Sequence, residues 1–386
     1  MPTYGRLPIR FSRGEGVRLW DTDGTSYLDA LGGIAVSILG HGHHELAEVI
    51  AEQSRRLIHT SNIYRIAEQE ELGDRLCGIA GMEQAFFGNS GAEANEAAIK
   101  LARRYGHEKG IDAPSVIVTE GAFHGRTMAT LTATGNRKVQ AGFEPLVPGF
   151  RRVPYDDLEA VRQVAAHDPG VVAVLVEPIQ GEGGIRVPSP EYLPGLRELC
   201  NENQWLLMLD EIQTGMGRTG RWFACQHHDV RPDVMTVAKA LGNGVPIGAC
   251  LASGPAAGVL TPGTHGSTFG GNPFACRVAL AVIDILERID GPARARIQGA
   301  RILAGLDERL GDHPGIRSIR GQGLMLGVEM TAPCKELVTL ALEERLLINV
   351  TADNVIRMLP ALIYRDENSD ELVDSLVKTI ERFWKQ

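Results

Sequence analysis

Lys239 stands alone after the apolar run Val234, Met235, Val237, Ala238 and ahead of the glycine-bearing turn Gly242-Asn243-Gly244. A lysine delivered to a strand end in this way loses solvent, which disfavours its ammonium form and exposes a nucleophilic amine near neutral pH. It is a candidate for Schiff-base chemistry. Asp210 closes a second apolar run, Trp205-Leu206-Leu207-Met208-Leu209, and leads into Glu211-Ile212-Gln213. A carboxylate and a lysine at neighbouring mouths of a parallel sheet can address one bound group, or can form a structural ion pair.

Other stretches add functional groups of the right kinds. Ser90 and Glu93 fit the Ser-x-x-Glu capping box, so a helix is expected to start there, and Gly91 with Ala92 leaves its first N–H groups open to a phosphate. Many capped helices bind nothing. The strand Ser115 to Thr119 delivers Phe123-His124-Gly125-Arg126-Thr127, where Phe123 could stack on a flat ring and Arg126 could fork onto a carboxylate. The strand Val171 to Val176 ends in Glu177-Pro178-Ile179-Gln180-Gly181-Glu182. Ser267 and Thr268 sit in a glycine loop that supplies a phosphate contact or merely a turn. Arg357 lies between Ile356 and Met358 and reads as an inward-facing cation that pairs structurally or meets an acidic ligand.

Three patterns point elsewhere and fail on inspection. Gly215-Met216-Gly217-Arg218-Thr219-Gly220 matches the dinucleotide fingerprint, yet Asp210 to Gln213 intervene after the strand and no capped helical start follows. Gly88 to Ala92 lacks the last glycine of a nucleophile elbow. His41-Gly42-His43-His44 has no carboxylate or cysteine at a spacing that completes a metal site, so no metal is expected.

Strands alternating with helices must position these groups, which implies an α/β fold with a mostly parallel, doubly wound sheet. From about residue 289 the pattern changes to that of a smaller α+β domain. The expected division is an N-terminal segment, 1–45, that joins the small domain; a large domain, 46–288; and the small domain, 289–386. With 386 residues, 44% apolar and 23% charged, the chain can bury a full core. A net charge of −9 without basic clusters argues against nucleic acid or an anionic membrane as partner. The N-terminal stretch lacks a signal-peptide core and no apolar run is long enough to span a bilayer. Six scattered cysteines suit a reducing compartment, and the expected location is the cytoplasm.

Taken together, Asn89 to Ala94, Phe123 to Thr127, Glu177 to Gly184, Leu209 to Gly215, Ala238-Lys239-Ala240 and Gly266 to Pro273 resemble the class III pyridoxal-phosphate-dependent aminotransferases, most closely those acting on acetylornithine. The resemblance covers nearly the whole chain. His44 departs from it, standing where a proline is expected, and so does Ala361, where a second proline is common after Pro360. Neither position carries chemistry.

The resemblance implies fold type I of the pyridoxal-phosphate-dependent transferases, with pyridoxal 5'-phosphate as cofactor. Lys239 would hold it and shuttle the proton; Asp210 would keep its pyridine nitrogen protonated. Gln213 would bond its phenolic oxygen, Phe123 would stack on it, and Gly91 with Ala92 would cradle its phosphate. Thr268 would reach that phosphate from the partner subunit, making a homodimer part of the site. Arg126, Glu182, Ser267 and Arg357 would meet substrate. The implied reaction moves the terminal amine of N2-acetyl-L-ornithine to 2-oxoglutarate in arginine biosynthesis. Ornithine, succinylornithine or 4-aminobutyrate are alternative donors. An NAD-dependent dehydrogenase and a non-catalytic pyridoxal-phosphate-binding protein are alternatives from other classes.

Overall fold

The computed structural model describes residues 1–385. Near the N-terminus β1 (Phe11–Glu15), β2 (Arg18–Asp21) and β3 (Ser26–Asp29) form an antiparallel meander around the turn Asp21 to Gly24. Asp21 Oδ1 accepts the Asp23 and Thr25 N–H groups and so fixes that turn. The three imidazoles that follow have separate tasks: His41 Nε2 lies 2.7 Å from Asp29 Oδ2, His43 caps the helix His44–Arg56, and His44 is exposed.

The central sheet is built from β4 (Gln84–Gly88), β5 (Ser115–Thr119), β6 (Phe150–Val153), β7 (Val171–Val176), β8 (Leu206–Asp210), β9 (Val234–Val237) and β10 (Gly248–Ala252). Their order is β4-β10-β9-β8-β7-β5-β6, parallel from β9 to β6, with β10 antiparallel to both its neighbours. Every residue of β5, β7, β8 and β9 is buried, as expected for strands covered on both faces. The long helix Gly91–Glu108 packs on one face through Ala94, Ala97, Ala98 and Ala102, small side chains that let its axis approach closely. Since β5, β7, β8 and β9 run in one direction, the segments that follow them all emerge at one edge.

The C-terminal part has its own sheet. β11 (Ile316–Gln322) and β12 (Met325–Met330) precede the two-residue β13 (Leu346–Leu347), then β14 (Asn349–Thr351) and β15 (Val355–Met358). The order β11-β12-β15-β14 is antiparallel throughout, with helices Gly291–Leu310 and Asp366–Trp384 packed together beside it. β13 instead pairs parallel with β3, Leu346 opposite Leu28. Tyr364 Oη donates to the Asp29 carbonyl at 2.9 Å and adds a second tie between the chain's two ends.

Candidate active site

Lys239 leaves β9 two residues after its end, adopts a left-handed φ of 46°, and opens a single helical turn, Lys239–Gly242. That conformation is rare outside glycine and turns the side chain off the strand direction into a cavity of about 250 Å³. The accessible part of Lys239 faces this cavity. Burial pushes its pKa down, and the positive charge of Arg357 adds to the effect, while Glu182, Asp210 and Glu177 pull the other way. The first two causes shift the balance from the ammonium toward the nucleophilic amine.

The same cavity is lined by Gly91, Ala92, Phe123, Arg126, Asp210 and Gln213. Asp210 is the last residue of β8, and its Oδ2 meets Asn95 Nδ2 and His124 Nδ1, each at 2.8 Å. Asn95 Oδ1 accepts the Thr236 hydroxyl at 2.8 Å, so a chain of bonds links β9, the long helix and β8. The neighbouring Glu211 turns away: its carboxylate accepts the N–H groups of Ala224 and Cys225 and ties down the loop that follows. Strand alternation therefore separates the two acids, one for the cavity and one for the scaffold.

Glu177, at the end of β7, accepts the N–H groups of Phe123 and Gly181 at 3.0 and 3.2 Å. Burial pushes its carboxyl up to about 7, with His124 opposing and Asp210 adding to the rise. His124 Nε2 is buried without a hydrogen-bond partner among the described residues.

At the cavity's other end the helix Gly91–Glu108 begins. Ser90 Oγ accepts the Glu93 N–H at 3.2 Å, as the capping box predicts, but the Glu93 carboxylate takes the Asn89 N–H instead of that of Ser90. A Cβ on Gly91 would come within 2.8 Å of Ile212, so this wall has room for glycine alone. A helix N-terminus, a carboxylate with two donors fixed behind it, an amine whose burial disfavours the ammonium form and an aromatic face thus surround one space. That donor set fits a phosphorylated pyridine aldehyde: anion at the helix start, ring nitrogen at Asp210, carbonyl carbon at Lys239.

Arg126, exposed, lies at the outer opening with its guanidinium carbon 5.6 Å from the centre of the Phe123 ring. Across from it Arg357 projects from β15, wholly buried, and its Nη1 donates to Glu182 Oε1 at 2.6 Å. Its Nε donates to Asn349 Oδ1 at 3.1 Å, and Gln213 Oε1 lies 3.4 Å from Nη1. Nη2 of Arg357 is buried with no partner among the described residues. A buried guanidinium with an unused donor near the amine has the chemistry to meet one more oxyanion.

Ser267 and Thr268 do not join this group within their own chain. Ser267 Oγ accepts the Gly270 N–H at 3.0 Å and closes its own turn, while Thr268 is exposed at the loop's tip. Gly215 to Gly220 run through turns with left-handed φ at Met216, Gly217 and Gly220, and open no helix. The dinucleotide match therefore lacks the helix start that such a site requires. Asn95, His124, Glu177 and Asn349 complete the site without having been singled out for it. His124 and Glu177 stand in the strand-end stretches noted above, and the local signal for Asn95 is an asparagine among the alanines of its helix.

A family model, Aminotransferase class-III, matches residues 2–380. The acetylornithine aminotransferase of Nitrosomonas europaea is 57% identical over 383 residues, 99% of this chain and 98% of its own. Among solved structures, an ornithine aminotransferase of Toxoplasma gondii described with partial occupancy of PLP at its active site superposes with a TM-score of 0.95 at 36% identity, covering 99% of this chain and 93% of that one. The acetylornithine aminotransferase of Elizabethkingia anophelis gives 0.89 at 35% identity, covering 99% and 96%.

Proposed function

The chain belongs to the class-III aminotransferases and uses pyridoxal 5'-phosphate, and from that premise we propose that it transfers the terminal amine of N2-acetyl-L-ornithine to 2-oxoglutarate, yielding the semialdehyde and L-glutamate for arginine biosynthesis. The observation that carries the choice of a distal-amine donor is the Arg357–Glu182 pair near Lys239, and the likeness to acetylornithine aminotransferases supports acetylornithine among such donors. A donor that reacts through a distal amine has no carboxylate next to its reacting carbon, and a free cation there would favour α-amino acids. Glu182 neutralises that cation.

When bound, pyridoxal phosphate supplies the electron sink that lets an amino group leave one carbon for another. The residues around it have distinct tasks. Lys239 Nζ would hold the group covalently and, once displaced, would carry the proton between the donor carbon and the cofactor carbon. Asp210, oriented by Asn95 and His124, keeps a proton on the ring nitrogen. Phe123 covers a ring face, Gln213 meets the ring oxygen, and Gly91 and Ala92 take the phosphate at the helix start. Arg126 receives the far carboxylate of either donor. For glutamate, Arg357 leaves Glu182 and binds the α-carboxylate; Ser267 meets substrate through the partner's loop.

The second subunit enters through Thr268 of the partner subunit, which we assign to the phosphate. Leu57, Ile58, Ile63, Tyr64 and Phe269 are exposed along the segment packed against this loop, an apolar surface suited to a second copy. We take residues 46–288 as the cofactor domain, 289–386 as the small domain and 1–45 as a segment that joins the latter, a division supported by the β3–β13 pairing. We place the enzyme in the cytoplasm, away from nucleic acid and membranes; its six cysteines are free and buried. No helix among the described residues is long and apolar enough to cross a membrane.

Single-turnover absorbance tests the reading. Acetylornithine should bleach the holoenzyme's visible band and 2-oxoglutarate should restore it. A panel of ornithine, succinylornithine and 4-aminobutyrate then ranks the donors, and a higher specificity constant for any of these three would replace the assignment.

A further inference from the structure

Glu182 belongs by chain order to the central sheet, since its loop leaves β7, yet its backbone is held from the C-terminal sheet. Arg320 on β11 donates from Nη2 to the Gly184 carbonyl at 2.6 Å and from Nε to the Ile185 carbonyl at 2.8 Å. Its remaining nitrogen, Nη1, meets Glu329 Oε2 on β12 at 2.6 Å and the Ser318 hydroxyl. Thr351, the last residue of β14, donates its hydroxyl to the Glu182 carbonyl itself. Three carbonyls of one short loop are thus gripped by side chains from two strands of the sheet that carries Arg357.

Packing holds the loop in the same place. Ile185 is buried with Met325 and Leu359, and a Cβ on Gly327 of β12 would sit 2.9 Å from that of Ile185. Gly184 has φ 103° and lies against Ala352 and Val355, where a Cβ would come within 3.3 and 3.2 Å.

We propose that Arg320 and Thr351 are positioning residues for amine specificity, because they fasten the Glu182 loop to the sheet bearing Arg357 and so keep the carboxylate within reach of that guanidinium. The proposal rests on the reading of Arg357 given above and extends it to two residues to which that reading assigns no role. A loop tethered only to β7 would follow the central sheet whenever the two sheets shifted against each other. Glu182 would then release Arg357 irrespective of the donor. With the tether, the pair opens when an α-carboxylate competes for Arg357.

Arg320→Lys is the informative variant, since lysine keeps a charge beside Glu329 but cannot fork onto two consecutive carbonyls. Thr351→Val removes the other donor with little change of shape. Single-turnover rates of the holoenzyme with L-glutamate and with acetylornithine should show each variant shifting the ratio toward glutamate, roughly 3- to 10-fold for the loss of one or two hydrogen bonds. In a Glu182→Ala background Arg320→Lys should shift the ratio no further. Equal losses in both half-reactions, or a shift that persists without the Glu182 carboxylate, would reduce Arg320 to a structural residue and overturn the proposal. If Arg320→Lys does not fold, an unmoved ratio in Thr351→Val overturns it alone. A wild-type enzyme inert to both donors refutes the functional reading and the proposal together; a wild-type with both half-reactions and unmoved ratios in the variants refutes the proposal only.

Discussion

His124 Nδ1 lies 2.8 Å from Asp210 Oδ2, with the imidazole wholly buried and the carboxylate nearly so. Glu177 completes a buried cluster of one imidazole and two carboxylates, and its carboxyl is raised to about 7 by burial, with His124 opposing. Folding therefore takes up a proton at Glu177 between its ordinary pKa of 4.5 and about 7. That stabilisation is complete below the unfolded value and is lost as pH rises through the folded one, at up to about 1.4 kcal/mol per pH unit. Glu177→Gln should flatten this part of the pH profile. Urea melts of both proteins at several pH values from mildly acidic to mildly alkaline check it, and parallel profiles would show that Glu177 does not titrate there.

Lys239→Ala should keep the fold, because the contacts assigned to phosphate and ring come from other residues, while turnover falls by at least the 10²- to 10⁴-fold typical of removing a general acid-base group. Borohydride reduction of the wild-type holoenzyme followed by peptide mapping checks the attachment point. Label on any other lysine would refute the assignment.

Arg357→Ala should slow the glutamate half-reaction roughly 10- to 150-fold in specificity constant, the worth of one charge-assisted bidentate contact. The acetylornithine half-reaction should change far less. Arg126→Ala should impair both, and Glu182→Ala should move preference toward glutamate by freeing Arg357. Equal losses for both donors in Arg357→Ala would rule the exchange of partners out.

Mixing Lys239→Ala subunits with subunits altered at Thr268 should restore activity, since each mixed dimer would contain one site with both residues intact. Subunit exchange is followed independently with a mass tag. Complete exchange without recovery above the Thr268 variant would exclude the contribution of the partner's Thr268.

How much of this was legible in the sequence depended on the range of each interaction. The helix cap at Ser90 and Glu93, the apolar runs Val171–Val176 and Leu206–Leu209 with Asp210 closing the second, and the lysine after Val234–Val237 are local patterns, and they appear where the sequence predicts them. β10, Gly-Ala-Cys-Leu-Ala, has little intrinsic strand preference and is a strand because β4 and β9 flank it. β6 and the helix Leu158–His167 were also missed, the strand because two arginines interrupt it. The Glu93 carboxylate accepts both the backbone N–H and the side-chain amide of Asn89, a second donor that the Ser-x-x-Glu spacing does not include. Asn349 meets Arg357 as its direct partner across the β14–β15 hairpin and was hidden because that register was not read, whereas Asn95 reaches Asp210 from a distant element, a contact that no local spacing announces. Arg320 was hidden for the same reason, since its acceptors are backbone carbonyls on a distant loop.

The pairing of β3 with β13 joins residues about 300 positions apart, Leu28 with Leu346. A ribosome adding 5 to 20 residues per second needs roughly 15 to 60 s to make that intervening stretch. Throughout that interval β3 is a newly made strand with an unsatisfied row of N–H and C=O groups along one side, the kind of edge that pairs readily with another chain. Strand β3 therefore waits for its partner edge until β13 has been made, and over that time its open side is the place where mispairing with another chain would begin.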